Sequence, residues 1–600
     1  MARRATRTRR ETAMCNGSVR AGGRPRVVDR LGIGSVAIGI ESFADVATRH
    51  VYVDKTMVIA DLLDRGGVTL FCRPRRFGKS LMLRTLQCYF EAPVEGWVDD
   101  MGPIFDSLAI MDSEERHIAE RGVHPVIYLG LNACGGDAWE AMRASVVKLV
   151  AEEFARHSYL LDSPRMAEFQ RNEFVRIASG DASDADLEHS LVFLCKLLRN
   201  HHRSQVVILI DEYDKIVTEG HLHGYRDEAT GFLKRWLTGA LKGTVDLRLA
   251  VLTGVQRVSK ESIFSDLNNF RVDTALDHQY AEAFGFTQLE VEELAAHLGH
   301  ADRAGELAEW YDGYSFGGEA VYNPWSVLNY FDKGCIAQPY WTNTSSNSVV
   351  KSMIAQAGED TNAQLTTLAE GGAVEAALDL SVVFGEIDSD TSAIWSQLYL
   401  AGYVTTRDVA EPNEASIVRR LEVPNLEVAR LFSRELVERA EAAAGGRHAL
   451  SALHAALRAG DAEALAYELE RALLNSVSFY DLRDENSAHM WLLSLLYGME
   501  GYRYPRSNRE VGRGRPDVVC EPAAAREREL PAVACEVKFA RDLPGDEDAA
   551  RGALRDLAVS ALDAQALPKR YTHGLAGAGA VLWGVAFDGS KHAAVACARL

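Results

Sequence analysis

The chain has 600 residues, of which 47% are hydrophobic and 25% are charged, and both shares are ordinary for globular proteins. They exclude a fibrous or largely disordered chain, and the length predicts about three to five domains at roughly 150 residues each. The formal charge of −20 excludes a protein that coats nucleic acid through its overall field, so any such contact requires local basic patches.

The N-terminal segment is rich in arginine. Residues 1–30 contain nine Arg and only two acidic residues, Glu11 and Asp29. We interpret this segment as a disordered basic tail, with a nucleic-acid-binding arm as the alternative.

Two features that the sequence lacks, a membrane-spanning run and a pattern of paired cysteines, indicate the cellular compartment. No run of eighteen apolar residues occurs, so we expect no membrane span. The nine Cys are scattered without the spacing of a metal site or a disulfide framework. Together these features predict a reduced, cytoplasmic protein that does not bind membranes.

Residues 31–284 are predicted to form an α/β domain. Short β-branched runs at 68–72, 124–131, 205–210 and 247–252 predict buried strands, and helical stretches alternate with them. This alternation is typical of a largely parallel sheet, here of the type found in P-loop NTPases.

The first of these strands leads into a basic loop, RPRRFGKS at 73–80, and then into a predicted helix. A GKS triplet between a strand and a helix is the context of a phosphate-binding loop, where backbone N–H groups surround a polyphosphate. Lys79 is predicted to reach the β- and γ-phosphates and Ser80 to bind Mg²⁺. Arg73 stands where the usual pattern has its first glycine, and the loop arginines are predicted to contact phosphate. The predicted nucleotide-binding residues of the loop are Arg73, Arg75, Arg76, Gly78, Lys79 and Ser80.

The third strand ends in two acids, Asp211 and Glu212. An apolar strand followed by this pair is the Walker B arrangement, in which Asp211 orients Mg²⁺ and Glu212 polarises the attacking water. The fourth strand ends near Thr253, which we predict to contact the nucleotide, and Arg257 follows as a candidate charge stabiliser. Polar residues are common at strand ends, so Thr253 and Arg257 also have a purely structural interpretation.

Several motifs resemble the bacterial AAA-ATPase-like family. They are YVDKT (52–56), RPRRFGKS (73–80), LIDEYD (209–214), FGFTQLEVEEL (284–294) and PNLEV (424–428). The resemblance covers roughly residues 30–430 and implies an ATP-binding α/β domain of the additional-strand class. Arg73 agrees with the family, whose loop is itself similar to RPRRFGKS.

The following segments are predicted to be mainly helical. Residues 285–440 are rich in aromatic residues and are interpreted as a helical middle region with small strands. Residues 441–475 read as two helices separated at Gly460 and Asp461, since Gly suits a helix C-terminus and Asp a helix N-cap. We interpret 441–475 as a helical hairpin that links two domains.

Residues 476–600 contain a second group of candidate catalytic residues. Asp517 precedes a predicted strand at 518–520, and a second predicted strand at 532–539 carries Glu536 and Lys538 on one face. If the two strands form a hairpin, Asp517 lies near that face. Two carboxylates at one point bind Mg²⁺, which activates water and stabilises charge on a scissile phosphate. Lys538 would position the nucleophile or neutralise the phosphorane.

This pattern resembles the PD-(D/E)XK nuclease superfamily, together with the lead-in GRGRPD (512–517). The resemblance implies a restriction-endonuclease-like α/β domain with Gln565 near the metal, on a helix predicted over 561–571. An upstream acid is also expected, and Glu485 and Glu510 are both candidates.

Two hypotheses follow. The first is an ATP-binding, ATP-hydrolysing protein coupled to a Mg²⁺-dependent nuclease that cleaves nucleic acid, with DNA favoured over RNA. The alternative is a nucleotide-gated module that binds a partner or nucleic acid with little or no catalysis. The predicted catalytic residues are Glu212, Asp517, Glu536, Lys538 and Gln565, and the predicted metal ligands are Ser80, Asp211, Asp517 and Glu536.

Overall fold

The computed structural model describes residues 27–242, 245–257, 270–342, 364–365, 367–369, 371–380, 391–408, 418–476, 484–507, 514–541, 543–589 and 591–600. The chain divides into two compact units. Unit 1 comprises Met1–Trp341 and Glu375–Asn425, and unit 2 comprises Thr342–Val374 and Leu426–Leu600.

The described chain begins inside the segment that the sequence analysis assigned to a tail. Residues 1–26 lie outside the described part. The strand Val27–Val28 pairs with Tyr52–Val53, and the Asp29 carboxylate accepts hydrogen bonds from the N–H groups of Gly32 and Gly34. The predicted boundary of the tail at residue 30 is therefore wrong, because two valines satisfy their backbone groups on a strand edge.

A five-stranded sheet forms the centre of unit 1. Its strands in spatial order are β4 (Val126–Gly130), β5 (Val206–Asp211), β6 (Leu247–Gly254), β3 (Gly67–Cys72) and β7 (Phe270–Asp273), and every neighbouring pair is parallel. The four predicted strands are confirmed to within two residues at each end, whereas β7 was not predicted because its sequence, FRVD, lacks an apolar run. The strands of unit 1 up to this point are β1 (Val27–Val28), β2 (Tyr52–Val53), β3 (Gly67–Cys72), β4 (Val126–Gly130), β5 (Val206–Asp211), β6 (Leu247–Gly254) and β7 (Phe270–Asp273).

Helices cover this sheet because their apolar residues recur at helical spacing. In the helix that follows β3, for example, the buried residues are Met82, Leu83, Leu86, Tyr89 and Phe90. The helices between β1 and β7 are α1 (Phe43–Arg49), α2 (Val58–Arg65), α3 (Lys79–Phe90), α4 (Glu115–Ile118), α5 (Trp139–Arg156), α6 (Glu168–Ala178), α7 (Asp184–His202), α8 (Lys215–His223) and α9 (Arg226–Leu241).

The remainder of unit 1 is helical with short strands, as predicted for the middle region. Its elements are α10 (Gln288–His297), α11 (Ala304–Tyr311), β8 (Tyr314–Phe316), β9 (Glu319–Val321), α12 (Pro324–Asp332), α13 (Thr391–Ala401) and β11 (Val418–Glu422), and strand β10 (Ala373–Ala377) spans the boundary between the units. The structure does not divide the chain at residue 284. Phe77 of the basic loop packs on Tyr314 and Phe316, with ring centroids 4.9 and 5.0 Å apart, so the two segments share one core.

Unit 2 is built on a second five-stranded sheet, in the order β12-β13-β14-β15-β16. The strands β14 and β15 are parallel and the other neighbours are antiparallel, which confirms the predicted hairpin of strands 518–520 and 532–539. The strands are β12 (Arg506–Ser507), β13 (Val518–Cys520), β14 (Ala532–Ala540), β15 (Ala580–Asp588) and β16 (Ala593–Arg599). The helices of unit 2 are α14 (Leu426–Ala444), α15 (Arg447–Ala459), α16 (Ala462–Ser476), α17 (Glu485–Leu495) and α18 (Glu547–Ala561).

The pair α15 and α16 is part of the body of unit 2. Gly460 ends α15 with a φ of 69° and the Asp461 carboxylate accepts from the Ala464 N–H, which confirms the predicted break. The interpretation as a linker is wrong, however. A β-carbon at Gly460 would lie 2.9 Å from Arg599 on β16, and the Trp583 indole N–H donates to the Leu457 carbonyl, so the pair packs on the sheet. The apolar stripe of α15 requires such a partner.

None of the helices in the described part of the chain is long and apolar enough to cross a membrane.

Candidate functional site

In unit 1, the predicted nucleotide-binding residues lie at the carboxyl ends of β3, β5 and β6. These strands are adjacent and parallel, so their ends meet at one edge of the sheet. The Thr253 hydroxyl donates a short hydrogen bond to the Asp211 carboxylate, and the Tyr213 N–H donates to the Thr253 carbonyl. The structure therefore brings Asp211 and Thr253 into contact, and their roles in nucleotide binding stay predictions.

Gly78 and Lys79 form the junction between the basic loop and α3. Gly78 has a φ of 87°, a left-handed conformation that favours glycine, and it precedes the first residue of the helix. The Lys79 ammonium donates to the carbonyl oxygens of Arg73 and Pro74, at 2.9 and 2.8 Å. Burial lowers the pKa of Lys79. Ser80, the second residue of α3, is half-buried beside it.

Arg73 occupies a different environment from the one predicted. Its side chain is buried and forms an ion pair with Asp273 of β7 at 2.5 Å. The guanidinium lies 5.3 Å from the centroid of the Phe284 ring and 5.1 Å from that of Phe316. The phosphate contact expected of this side chain is therefore replaced by a structural ion pair. The Arg73 N–H donates to the Gly254 carbonyl and continues the β3–β6 ladder, so this position does not require a glycine.

The other two loop arginines are exposed. Arg76 has a φ of 70°, and its guanidinium lies 4.2 Å from the centroid of the Trp325 ring. The positive charge of Arg75 favours the neutral form of Lys79 and the charged form of Glu212, so it acts to lower the pKa of both. Phosphate binding by Arg75 and Arg76 stays a prediction, and their exposure is compatible with it.

Glu212 has a strained backbone at the end of β5. Its φ is 52°, in the left-handed region that a residue with a β-carbon rarely adopts, and its N–H donates to the Asp211 carboxylate. Burial raises the pKa of Glu212. Strained residues of this kind concentrate at functional sites.

Sequence analysis missed Asp214, the third acid of the segment IDEYD (210–214). Its buried carboxylate accepts hydrogen bonds from the N–H groups of Val255 and Gln256, each at 2.9 Å, and burial raises its pKa. Asp214 thus connects the end of β5 to the chain that follows β6. The signal in the sequence was an acid three residues after Asp211.

In unit 2, the structure brings together Asp517, Glu536, Lys538 and Glu485, which we call the carboxylate–lysine cluster. The Asp517 carboxylate accepts from the Val537 N–H at 2.6 Å. The Lys538 ammonium lies 2.9 Å from a Glu485 oxygen and 3.7 Å from a Glu536 oxygen. Of the two candidates for the upstream acid, Glu485 of α17 therefore contacts the cluster, while Glu510 lies outside the described residues.

The charges of this cluster influence one another. The Glu536 side chain is buried, and desolvation together with the nearby Asp517 raises its pKa. Burial alone would lower the pKa of Lys538, but the hydrogen bond and the charge of Glu485 raise it above the ordinary value. The carboxylates of Asp517 and Glu536 therefore lie close together, and the protonated Lys538 lies beside them with Glu485 as its second carboxylate partner.

Three residues near the cluster were missed by sequence analysis. The buried Tyr571 hydroxyl donates to Glu536 at 2.9 Å, and the Lys569 ammonium donates to the side-chain oxygen of Gln565 at 3.1 Å. The buried His489 lies at hydrogen-bond distance from the Ser507 hydroxyl, and desolvation lowers its pKa. No periodic pattern marks these residues: Lys569 and Tyr571 follow an irregular turn, and His489 lies on a separate helix, α17.

Gln565 lies in a π-helical turn, Leu562–Ala566, that follows α18. The regular helix predicted over 561–571 is therefore wrong. The position of Gln565 near a bound metal stays a prediction; Gln565 accepts from Lys569, which donates to Tyr571, whose hydroxyl donates to Glu536. A π-turn places one extra residue in the turn and so changes the direction of the side chains that follow.

The residues of both sites fit Mg²⁺. Within the described ranges, no group of three or more His, Cys, Asp and Glu side chains is placed to hold a metal ion. Mg²⁺ nevertheless needs few protein ligands, because it keeps several waters and is completed by substrate phosphates. The pair Asp517 and Glu536 in unit 2, and the pair Ser80 and Asp211 in unit 1, offer hard oxygen ligands of that kind.

Comparisons with known proteins cover much of the chain. Residues 37–264 match the family described as a predicted AAA-ATPase. Over 405 residues the chain is 30% identical to the "Uncharacterized protein in vnfD 5'region" of Azotobacter chroococcum mcd 1, covering 65% of this chain and 67% of that protein.

Among solved structures, a Signal Transduction ATPase with Numerous Domains (STAND) protein with a tetratricopeptide repeat sensor from Pyrococcus horikoshii is 11% identical. The match covers 74% of this chain and 53% of that one at a TM-score of 0.24, so this chain spans about half the length of that structure. A likeness at this score does not bear on the fold. The chain belongs to the same protein family as the Azotobacter protein, and its residues 37–264 form a predicted AAA-ATPase domain.

Proposed function

We propose that unit 1 binds ATP with Mg²⁺ and hydrolyses the nucleotide. One observation carries the proposal: the buried Lys79 ammonium is held only by neutral carbonyls of its own loop in the contacts described, at 2.9 and 2.8 Å. Desolvation outweighs the attraction of the nearby Asp211, Glu212 and Asp214 carboxylates and lowers the pKa of Lys79, so this buried cation gains from an incoming anion. A polyphosphate at the N-terminus of α3 would provide that anion.

The other residues have separate roles in this proposal. Ser80 and Asp211 would hold Mg²⁺, which when bound neutralises charge on the phosphates, and the Thr253 hydroxyl keeps Asp211 in position. Glu212 would accept a proton from the attacking water. Its raised pKa suits that task because a general base works best when its pKa approaches the operating pH.

The test is nucleotide binding and turnover by the full chain. We expect Lys79→Ala to lower the affinity for ATP–Mg²⁺ by at least about 100-fold, since it removes a charge-assisted contact in a buried site. Lys148→Ala is the control, because that lysine is 80% exposed on α5. Glu212→Gln should retain binding while turnover falls by about 10²–10⁴-fold. Turnover that survives both Lys79→Ala and Glu212→Gln would remove the ATPase assignment.

For unit 2 we infer a second activity, Mg²⁺-dependent cleavage of nucleic-acid phosphodiesters by a restriction-endonuclease-like domain. The supporting observation is the carboxylate–lysine cluster on the neighbouring antiparallel strands β13 and β14. Asp517 and Glu536 would hold Mg²⁺, which when bound activates water and stabilises the phosphorane. Lys538 would neutralise part of the carboxylate charge, and Gln565 would border the site.

A cleavage assay across duplex and single-stranded DNA and RNA, with Mg²⁺ and with or without ATP, tests this activity. Glu536→Gln should abolish cleavage, and Glu547→Gln should not, because Glu547 is 73% exposed and its recorded contact is an ion pair within α18. We expect DNA to be preferred and ATP to change the rate. A parent protein that cleaves none of these substrates would contradict the nuclease proposal and favour a nucleotide-gated binding module.

A further inference from the structure

The lysine that the sequence pattern assigns to the reaction is already paired with carboxylates. The Lys538 ammonium is within 4.0 Å of two carboxylates, those of Glu485 and Glu536, and it also donates to the Val537 carbonyl. A cation with two anionic partners gains little from a third, because each partner has already reduced its net charge. Besides the Mg²⁺ proposed here, a phosphodiester therefore gains more from a basic residue that carboxylates have not already paired.

Lys569 has the opposite environment. Its ammonium donates to two neutral oxygens, the Gln565 side-chain carbonyl at 3.1 Å and the Tyr571 hydroxyl at 3.3 Å. The Lys569 side chain is half-buried, and its positive charge acts on Glu536. Hydrogen bonds to uncharged acceptors thus fix the position of the Lys569 ammonium, and its positive charge can still attract an anion.

The backbone of the segment 562–571 is unusual where it presents these side chains. A π-helical turn ends at Ala566, and Arg570 has a φ of 51°, which is left-handed. Irregular turns of both kinds occur often at functional sites, since they direct side chains that a regular helix would point elsewhere. Here they place both Lys569 and Tyr571 beside Glu536.

Tyr571 connects the metal-binding carboxylate to this lysine. Its buried hydroxyl donates to Glu536 at 2.9 Å and accepts from Lys569. Gly514 lies against both side chains: a β-carbon there would be 2.7 Å from Lys569 and 2.9 Å from Tyr571. The glycine in the lead-in to Asp517 thus leaves room for the lysine and the tyrosine.

We propose that Lys569 binds a phosphate oxygen of the nucleic-acid backbone. Tyr571 is a positioning residue, because its hydrogen bonds fix the Glu536 and Lys569 side chains relative to each other. The proposal rests on the nuclease function inferred for unit 2. It adds a basic residue that contacts the substrate, whereas the sequence pattern offered Lys538 to position the nucleophile or neutralise the phosphorane.

Binding without cleavage tests the role of Lys569. The full chain is titrated in EDTA against a fluorescein-labelled DNA duplex and against the matching single strand, over a series of salt concentrations. Each phosphate contact contributes about 0.9 to the slope of log K against log salt for duplex DNA. Lys569→Gln should lower the slope by about that amount, while Lys569→Arg should retain the slope of the parent. Arg555→Gln, which removes an exposed charge from α18, is the control.

A second experiment tests the role of Tyr571. It measures the Mg²⁺ concentration at which the thermal unfolding midpoint of unit 2 rises, because a bound ion stabilises the folded state. Tyr571→Phe keeps the ring but removes the donor to Glu536, so we expect this concentration to rise several-fold. An unchanged Mg²⁺ midpoint would overturn the positioning role.

The outcomes separate this proposal from the nuclease proposal. A slope that depends on Lys569 in a protein that never cleaves would support phosphate binding and contradict catalysis. Cleavage with a slope equal in the parent and in Lys569→Gln would support catalysis and overturn the role of Lys569. A parent protein that binds neither form of DNA in EDTA would overturn the phosphate contact as well.

Discussion

Two lysines, one in each unit, have contrasting surroundings. Lys79 in unit 1 is bound by two neutral backbone carbonyls, and burial lowers its pKa. Lys538 in unit 2 contacts two carboxylates, and Glu485 raises its pKa despite burial. A lysine with neutral partners is prepared to bind an anion that arrives, whereas a lysine with anionic partners stabilises charge that the protein already contains.

The same distinction separates the arginines of the basic loop. Arg73 is buried against Asp273, while Arg75 and Arg76 are exposed at the same edge of unit 1. A count of arginines in a loop therefore overestimates the number of phosphate contacts. Substitutions at these residues test whether the charge of the partner and burial decide the role of each basic residue.

The largest effect is expected at the buried arginine. Arg73→Met should destabilise unit 1 by about 3–5 kcal/mol, since it leaves the Asp273 carboxylate buried without its partner. The double change Arg73→Met with Asp273→Leu should recover much of this loss. Urea unfolding of the single and double variants measures both. Equal stability of the parent and Arg73→Met would contradict the structural role.

Replacing each of the two lysines by methionine compares them directly. Lys538→Met should destabilise unit 2 by about 1–2 kcal/mol, because Glu485 and Glu536 lose their cation. Lys79→Met should change the stability of the nucleotide-free protein less, since losing its hydrogen bonds is offset by removing a desolvated charge. Denaturant unfolding in EDTA without nucleotide measures both changes in stability. A larger loss in Lys79→Met than in Lys538→Met would contradict the difference between the two lysines.

The carboxylates of unit 2 should respond to metal. At a Mg²⁺ concentration tenfold above its dissociation constant, binding should stabilise the parent by about 1.4 kcal/mol. Asp517→Asn should abolish this gain, because it removes one of two hard anionic ligands while its side-chain oxygen can still accept from the Val537 N–H. Glu547→Gln is the matched control on α18. A full Mg²⁺ response in Asp517→Asn would place the ion elsewhere.

The smallest effect is expected at the exposed loop arginine. Arg75→Gln should weaken ATP binding by about two- to fivefold, as is usual for a single exposed charge pair, and leave the stability of unit 1 unchanged. Isothermal titration with ATP–Mg²⁺ measures the affinity. A loss of stability like that of Arg73→Met would show that both arginines are structural.

Local patterns predicted much of the architecture. Four strands of the unit 1 sheet, the helix at 79–90 and the break at Gly460 and Asp461 were expected, because each depends on residues near one another in sequence. The convergence of Asp517 with Glu536 was predictable for a similar reason. A short antiparallel pair follows from strand alternation, and the pair β13 and β14 has that form.

What local patterns did not reveal depends on contacts between distant segments. Arg73 meets Asp273 across 200 residues, and Tyr571 meets Glu536 across 35. The helices α15 and α16 read as a linker because the sequence does not indicate which surface covers their apolar stripe.

Periodicity and short motifs, which are local properties, were enough to predict the parallel sheet, the phosphate loop and several site residues, namely Lys79, Asp211, Glu212, Asp517, Glu536 and Lys538. They did not reveal Asp214, Lys569 or Tyr571. Only the tertiary structure decided which basic residues are neutralised and which remain open to phosphate. That choice depends on burial and on the charge of each partner, and both arise only when distant segments pack together.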